Sequence, residues 1–358
     1  MAEEYQNDLQ LSLDKKTKEL VKQLPDFAKK FFKDLKTKGM SERTRVEYAY
    51  DLKRFFDYIQ SSAGFKNKSL NGCTASDVLD KLTYDDIQEY LDTLNIHTVI
   101  DKRGKEKEIV SSPSSKARKI SSLRSFYKFY FKIGEIKTNL ADLMELPKIP
   151  DKNIVTMDKD QVQRILDAVS DTTGMTDGKI KRHSKIVKRD YAIMMLFFGT
   201  GIRVSELVGI DLSDIDFYNA SLFITRKGGD EDEVFFGSEV QEALEDYAKN
   251  DRDILLDGKD ETALFISMQH KRMTVRSVEL MIKGYAEKAG LNMKVTPHAL
   301  RRTFASQVYE SSNDIFLVAE ALHHSSVETT RKHYAKMSDS RKREAAKAVG
   351  DLFKSDNV

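Results

Sequence analysis

The sequence predicts a mainly α-helical protein of two domains, with a small β-hairpin or sheet in the C-terminal domain. Apolar residues recur at every third or fourth position through most of the chain, which is the spacing of amphipathic helices. A polar stretch with two prolines interrupts this pattern before the middle of the chain. Two short β-prone runs flank a Gly-Gly turn in the second half.

The first half of the chain predicts one helical domain over residues 21–146. Phe27, Phe31 and Leu35 have the spacing of one buried helix face, and Thr83 is a suitable N-cap for a later helix. A polar stretch after this helix predicts a loop or small hairpin. Residues 1–20 are expected to form a polar extension, for which disorder is one expectation.

The second half predicts a mixed domain over residues 156–340, joined to the first by a linker over residues 147–155. The segment "YAIMMLFFGTG" is apolar on all sides, which indicates a buried helix ended by glycine. The segment "SLFITRKGGDEDEVFF" predicts a hairpin, and helices are expected around it. Residues 341–358 predict a C-terminal helix or tail with one apolar face.

Composition excludes several classes of protein. Cys73 is the single cysteine, so a disulfide framework and a cysteine-based zinc site are excluded, and a reducing cytosol is expected. The N-terminus lacks the apolar run of a signal peptide, and no stretch approaches the roughly 18 apolar residues of a membrane span. The net charge is only +2, but clustering of Lys and Arg decides nucleic-acid binding more than the total does.

One motif places proton-carrying and cationic groups at the start of a helix. Thr296 and Pro297 suit the cap and the first helical position, which puts His298 and Arg301 on one face of the first turn. Cations there are slightly unfavourable unless an anion joins them, so this turn is suited to a phosphate or carboxylate. By itself the motif is more often ordinary surface chemistry.

A second motif places an arginine after the predicted buried helix. The apolar neighbours of Arg203 indicate that its side chain is at least partly buried, and a buried arginine needs a partner. Glu206 is the candidate partner. In one reading the pair is purely structural, and in the other Glu206 supports Arg203 while the guanidinium grips a phosphate.

Together these motifs resemble the tyrosine recombinase family, which includes phage integrases and Xer-like proteins. The resemblance is strong over residues 155–340 and looser over residues 25–150. It depends on the order and spacing of six residues along about 130 positions: Arg203, Lys227, His298, Arg301, His324 and Tyr334. It implies a helical core-binding domain and a catalytic domain that together clamp DNA.

The resemblance implies a site-specific recombinase that needs no cofactor or metal. Tyr334 would be the nucleophile that forms a 3′-phosphotyrosyl bond, Arg203 and Arg301 would hold the phosphate oxygens, and Lys227 would protonate the leaving oxygen. His298 would accept the phenol proton. The second histidine is either His323 or His324, and the serine that follows His324 favours the latter. Arg226 beside Lys227 leaves a similar choice.

The resemblance also implies double-stranded DNA with a specific site as a partner. The predicted DNA contacts are Lys116, Arg118, Lys119, Arg124 and Lys128 in the first domain, and Lys179, Lys181, Arg182, Lys185 and Lys188 in the second. For the second group, a solvated loop is an equal alternative. We expect a monomer in solution and a homotetramer on paired sites, with the tail docking either on a neighbouring protomer or on its own.

Two other functions share this set of residues. A type IB topoisomerase-like enzyme would relax DNA without a specific site, and a non-catalytic DNA-binding protein could use the same fold. The presence of every catalytic residue type argues against the second. A bacterial, nucleoid-associated cytoplasmic location is expected. Integration, excision, dimer resolution and transposition all remain open from the sequence.

Overall fold

The computed structural model describes residues 2–61, 65–66, 68–100, 104, 106–150, 155–226 and 231–323. It is mostly helical with two small antiparallel sheets, which confirms the predicted fold class. The chain divides into two compact units, residues 6–152 and residues 153–358, and the first five residues are grouped with the second unit. Part of the linker predicted over residues 147–155 lies outside the described residues.

The first unit is a helical domain with one hairpin. Its helices are α1 (Ala2–Val21), α2 (Ala28–Thr37), α3 (Glu42–Ser61), α4 (Ala75–Leu79), α5 (Tyr84–Thr93) and α6 (Pro113–Lys132). Strands β1 (Ile96–Ile100) and β2 (Glu106–Val110) pair between α5 and α6, and a 3₁₀ turn (Leu140–Leu143) follows α6. Thr83 caps α5 as predicted, because its hydroxyl accepts from the Asp86 N–H while the Asp86 carboxylate accepts from the Thr83 N–H.

Aromatic side chains from several helices form the core of this unit. Phe126 of α6 is fully buried, and its ring lies 5.1 Å from that of Phe31 and 4.9 Å from that of Tyr130, in edge-to-face arrangements. Phe27 and Phe56 complete the cluster. Such pairs contribute beyond the area that they bury. The helical spacing in the sequence therefore predicted the buried face correctly.

The N-terminal residues correct one expectation. Residues 1–20 were expected to form a polar extension, with disorder as one possibility, but α1 is a helix of 20 residues. Leu20 is buried and Leu13 packs against the same core. Asp14 reaches Lys36 of α2 and Arg45 of α3 at 3.4 Å each. A sparse apolar stripe and long-range ion pairs therefore hold a segment whose composition is polar.

The second unit combines nine described helices with a three-stranded sheet. The helices are α7 (Lys159–Ser170), α8 (Asp177–His183), α9 (Val187–Thr200), α10 (Val204–Gly209), α11 (Ser238–Asn250), α12 (Arg252–Leu256), α13 (Val275–Lys288), α14 (Pro297–Ser312) and α15 (Ile315–Ala321). The strands are β3 (Ile215–Asp216), β4 (Ser221–Thr225) and β5 (Glu231–Phe235), antiparallel in the order β3-β4-β5. The predicted hairpin is the β4–β5 pair.

Helix α9 is the central element of this unit. It packs against α7, α11 and α14, and Ile193, Met194 and Phe197 are fully buried. Because neighbours cover it on several sides, its sequence is apolar all round, as predicted. A Cβ at Gly199 would lie 2.4 Å from Val240 Cγ2, so glycine at this position lets α11 approach closely.

Candidate functional site

Arg203 lies at the start of α10, directly after the turn that ends α9. Gly201 closes α9 with φ +62°, and a Cβ there would stand 2.4 Å from Phe304 Cδ1 of α14, so the turn and the packing both require glycine. The Arg203 N–H donates to Glu206 Oε2 at 2.6 Å, and Arg203 Nη1 donates to Glu206 Oε1 at 2.7 Å. Glu206 therefore fixes both the backbone and the side chain of Arg203.

Glu206 is a buried carboxylate held in its ionised form. Burial raises its pKa, but the hydrogen bonds from Arg203 and the charges of Arg226 and Arg203 outweigh this effect, so the pKa stays below its ordinary value. The Arg203 side chain is 34% exposed while that of Glu206 is 3% exposed. The guanidinium therefore presents an accessible edge and is anchored on its inner side.

Arg301 joins the two motifs within the second unit. Its guanidinium is buried, with Nη1 donating to the Gly201 carbonyl at 2.6 Å and Nη2 donating to the Leu322 carbonyl at 2.5 Å. One side chain thus ties the turn that precedes Arg203 to the end of α15. The planar fork of arginine suits two acceptors in fixed directions.

His298 occupies the first turn of α14, as the sequence predicts. Thr296 caps the helix by accepting from the Ala299 N–H at 3.2 Å, and Pro297 takes the first helical position. The residue is exposed overall, yet partial desolvation of the ring, followed by the charges of Arg302, Arg301 and Arg203, lowers its pKa below 6.5. The imidazole is therefore neutral near pH 7 and can accept a proton.

We expect the imidazole of His298 to titrate below pH 6.5 in DNA-free protein. Replacing Arg302 with glutamine should raise this pKa, because Arg302 is the charged group that disfavours the protonated ring most. An NMR titration of the imidazole nitrogens, assigned with His298→Asn, measures both values. Arg276→Gln on α13, whose side chain is 73% exposed, is the matched control. A pKa at or above 6.5, or one that Arg302→Gln leaves unchanged, contradicts this prediction.

Three further ionisable residues form a series of contacts that begins at Glu206. Arg226 Nη1 stands 3.2 Å from Glu206 Oε1, Arg226 Nη2 stands 2.9 Å from Asp232 Oδ2, and His323 Nδ1 stands 2.6 Å from the same Asp232 oxygen. The sequence left Arg226 and His323 as alternatives to their neighbours and did not single out Asp232. Asp232 faces Ile224 in the β4–β5 register, so only the hairpin pairing brings it near Arg226.

Three predicted catalytic residues, Lys227, His324 and Tyr334, lie outside the described residues, as does the tail over residues 341–358. The structure thus brings together Arg203, His298, Arg301 and Glu206. The positions of Lys227, His324 and Tyr334 are predicted from the sequence alone. Lys227 directly follows Arg226 in the sequence, and His324 directly follows His323.

The predicted DNA contacts on α6 differ in accessibility. Lys128 is exposed, whereas Arg118 donates to Asp51 at 2.6 and 2.9 Å and Arg124 donates to the Ala141 carbonyl at 3.2 Å. Lys116 binds the Asn95 amide oxygen. Lys119 is buried, donates to Ser115 at 3.1 Å, and has a pKa lowered by burial. This burial argues against the predicted contact of Lys119 with DNA.

The second predicted group lies on and after α8. Lys179, Lys181, Arg182 and Lys185 are exposed, which leaves them accessible to a DNA backbone, and three of them lie on a short helix rather than on the loop given as the alternative. Lys188 is different because it lies on α9 and binds Asp246 of α11 at 2.8 Å. Lys188 therefore joins α9 to α11 through an ion pair at the surface.

The part of the chain that the structure describes contains neither a cluster of metal ligands nor a membrane-spanning helix. No group of three or more His, Cys, Asp or Glu side chains there is arranged to hold a metal ion. Among the same residues, no helix combines the length and apolar character needed to cross a membrane.

Comparison with known proteins agrees with this geometry. Residues 155–341 match the phage integrase family, and residues 28–133 match the phage integrase N-terminal SAM-like domain. The chain is 32% identical over 313 residues to the tyrosine recombinase XerC of Caldanaerobacter subterraneus subsp. tengcongensis, which covers 86% of this chain and 82% of the relative.

Two solved structures have a similar fold. The XerH site-specific recombinase bound to its palindromic difH substrate, in a post-cleavage complex, is 19% identical with a TM-score of 0.62, covering 86% of this chain and 80% of that one. A lambda integrase tetramer bound to a Holliday junction is 16% identical with a TM-score of 0.58, covering 86% and 76%. The family match, the XerC similarity and the shared two-unit fold show that this chain belongs to the phage integrase family of tyrosine recombinases, the enzymes of site-specific DNA recombination.

Proposed function

We propose that this recombinase exchanges DNA strands through a 3′-phosphotyrosyl intermediate on Tyr334. The phenol oxygen attacks phosphorus, and the bond from phosphorus to the 5′ oxygen breaks. The protein is then joined to a 3′ phosphate, and the other fragment carries a free 5′-hydroxyl. The 5′-hydroxyl of a partner strand reverses the step and releases the phenol. Because bond energy is conserved in the intermediate, no nucleotide cofactor is required.

The convergence of three side chains carries this proposal. His298 and Arg301 lie three positions apart in the first turn of α14, which places their side chains on one face of that helix. Arg301 also binds the carbonyl of Gly201, two residues before Arg203. Two guanidinium groups beside a neutral imidazole suit a phosphate diester, whose non-bridging oxygens gain charge in the transition state.

Each residue then has a distinct role. Arg203 and Arg301 stabilise the non-bridging oxygens, and His298 accepts the phenol proton of Tyr334, whose reference pKa is about 10. Lys227 protonates the leaving 5′ oxygen. His324 is a further donor to the phosphate. The contact of the neighbouring His323 with Asp232 supports this assignment, because that imidazole already has a partner.

Binding to the duplex would depend mainly on phosphate contacts. The exposed Lys128, Lys179, Lys181, Arg182 and Lys185 are the best suited of the predicted residues, because their amines and guanidinium are accessible. Lys116, Arg118 and Arg124 would contribute through the parts of their side chains that their own partners leave accessible. Affinity should therefore fall steeply as salt rises.

The test uses a nicked suicide substrate that carries a target site selected from a randomised duplex library. After cleavage the short 5′-hydroxyl fragment diffuses away, so religation fails and the covalent complex accumulates. Trypsin digestion and mass spectrometry should find the nucleotide on the peptide 333–336, which contains Tyr334. A nucleotide on another peptide contradicts the proposal. Relaxation of a plasmid that lacks the site would favour a topoisomerase-like enzyme instead.

We further propose that the protein forms a homotetramer on paired sites and that residues 341–358 dock on a neighbouring protomer. We place this activity in a bacterial cytoplasm. A lambda integrase of similar fold forms a tetramer on a Holliday junction, which supports the tetramer, and the bacterial source of XerC supports the location. Deleting residues 341–358 should reduce synapsis of two sites more than binding to one site, as measured by gel shift with one and two labelled duplexes. Normal synapsis by the truncated chain contradicts docking in trans and indicates packing in cis.

A further inference from the structure

Three side chains connect the β4–β5 hairpin to the end of α15. Arg226 follows β4, and its Nε and Nη2 lie 3.0 and 2.9 Å from Asp232 Oδ2 on β5. His323 follows α15, and its Nδ1 lies 2.6 Å from the same oxygen. We call Arg226, Asp232 and His323 the hairpin latch. One carboxylate oxygen thus joins two segments that are about 90 positions apart in sequence.

The latch continues into the candidate active site. Arg226 Nη1 stands 3.2 Å from Glu206 Oε1, and that oxygen also accepts from Arg203 Nη1 at 2.7 Å. The side chains of Arg226 and Glu206 are only 10% and 3% exposed. Shielded ion pairs of this kind are screened less by solvent than surface pairs are. A displacement of the β4–β5 hairpin would therefore disturb the carboxylate that holds the Arg203 side chain.

The backbone at His323 gives a second, independent observation. Its φ is +47°, in the left-handed region just after the last turn of α15, where glycine is the usual residue. A Cβ disfavours this conformation, so a histidine there is unusual. Its ring is used for the contact with Asp232, and burial together with Arg226 lowers the pKa of His323 against the opposite effect of Asp232.

We propose that the hairpin latch is a set of positioning residues for Lys227, the proposed proton donor that directly follows Arg226 in sequence. Lys227 follows Arg226, and His324 follows His323. Asp232 holds Arg226 and is itself held by His323, so the latch restrains the chain at the residue directly before Lys227. This inference rests on the proposed function, because it assigns the latch to the placement of Lys227 at the leaving oxygen.

The chemistry of the leaving group distinguishes a misplaced proton donor from a general loss of structure or of phosphate binding. When the phosphorus–oxygen bond breaks, the 5′ oxygen takes a proton from the Lys227 ammonium. If sulfur replaces that oxygen, the leaving thiolate needs no proton, since a thiol has a reference pKa of about 8.5. A 5′-bridging sulfur substrate therefore bypasses a misplaced or missing proton donor, but it does not repair a disrupted fold or lost phosphate binding.

The experiment measures single-turnover cleavage of oxygen and sulfur substrates by Asp232→Asn and His323→Gly. We expect cleavage of the oxygen substrate to slow by about 10²-fold, the order expected when a catalytic group is misplaced by about an ångström. The sulfur substrate should restore both variants to near the wild-type rate. His323→Gly relieves the left-handed backbone, so a loss of rate in a fully folded variant cannot be attributed to unfolding.

Two controls define the outcomes. Lys227→Ala should be slow on oxygen and restored by sulfur. His270→Gly replaces another left-handed histidine, with φ +58° and a ring bound to the Leu255 carbonyl, and should cleave at the wild-type rate. Wild-type rates in both latch variants overturn the inference, as does a loss that sulfur restores only in Lys227→Ala. If sulfur fails to restore Lys227→Ala, the proposed role of Lys227 fails and the latch inference fails with it.

Discussion

Tyr334→Phe is expected to abolish covalent attachment to DNA while leaving single-site binding intact. Phenylalanine keeps the ring and removes the only atom that can attack phosphorus. The other residues named for the proposed site carry guanidinium, ammonium and imidazole groups, which act there as donors or as a base. Denaturing gels of the suicide-substrate reaction measure attachment, and gel shifts measure binding.

Tyr218→Phe is the control for this prediction. Tyr218 is 95% exposed in the turn between β3 and β4, so removing its phenol oxygen should change neither attachment nor binding. Attachment that persists in Tyr334→Phe would move the nucleophile elsewhere. Loss of binding together with loss of attachment would show that Tyr334 supports the protein–DNA interface rather than the chemistry.

Arg301→Lys is expected to slow cleavage by about 10²–10³-fold, the typical effect of losing one preorganised donor at a developing oxyanion. Lysine keeps the charge but has a single nitrogen, which cannot reach the Gly201 and Leu322 carbonyls together. One of these carbonyls then loses its donor, at a cost of about 1–3 kcal/mol in stability. The fall in the cleavage rate should therefore be much larger than the loss of folded protein caused by the lower free energy of unfolding.

The neighbouring Arg302→Lys is the matched control for Arg301→Lys. It keeps the charge beside His298 and removes no hydrogen bond to either carbonyl. Single-turnover cleavage on the suicide substrate and thermal unfolding measure the two effects separately. Equal rates for Arg301→Lys and the wild type would show that the fork geometry of Arg301 is not used in the transition state.

The local elements of the fold were predictable because their causes lie within a few residues. Thr83 and Asp86 cap α5 through side chains three positions apart, and Gly201 ends α9 through its own backbone freedom. The β4–β5 hairpin follows from β-prone runs around two glycines. The order of Arg203, His298 and Arg301 along the chain likewise predicted that these side chains share one site, and Arg301 does bind the carbonyl of the turn that precedes Arg203.

Features that depend on distant pairings were not predictable. The sequence of α1 is mostly polar, and the ion pairs that hold it join its Asp14 to Lys36 and Arg45 on two other helices. Lys119 lies in a basic run that indicated a DNA-facing surface, yet the turn of α6 directs it inward. Composition shows which charges a segment carries, but the rotation of a helix against its neighbours determines which of them reach solvent.

Sequence alone identified the chemistry of this protein, because the reaction requires particular functional groups and their order along the chain is distinctive. The arrangement of the supporting charges came from folding. Asp232 is 6 positions from Arg226 and 91 from His323, and Glu206 is 20 positions before Arg226. Strand register and helix packing bring these groups within hydrogen-bonding distance, and no periodic pattern in the chain encodes a contact between elements so far apart.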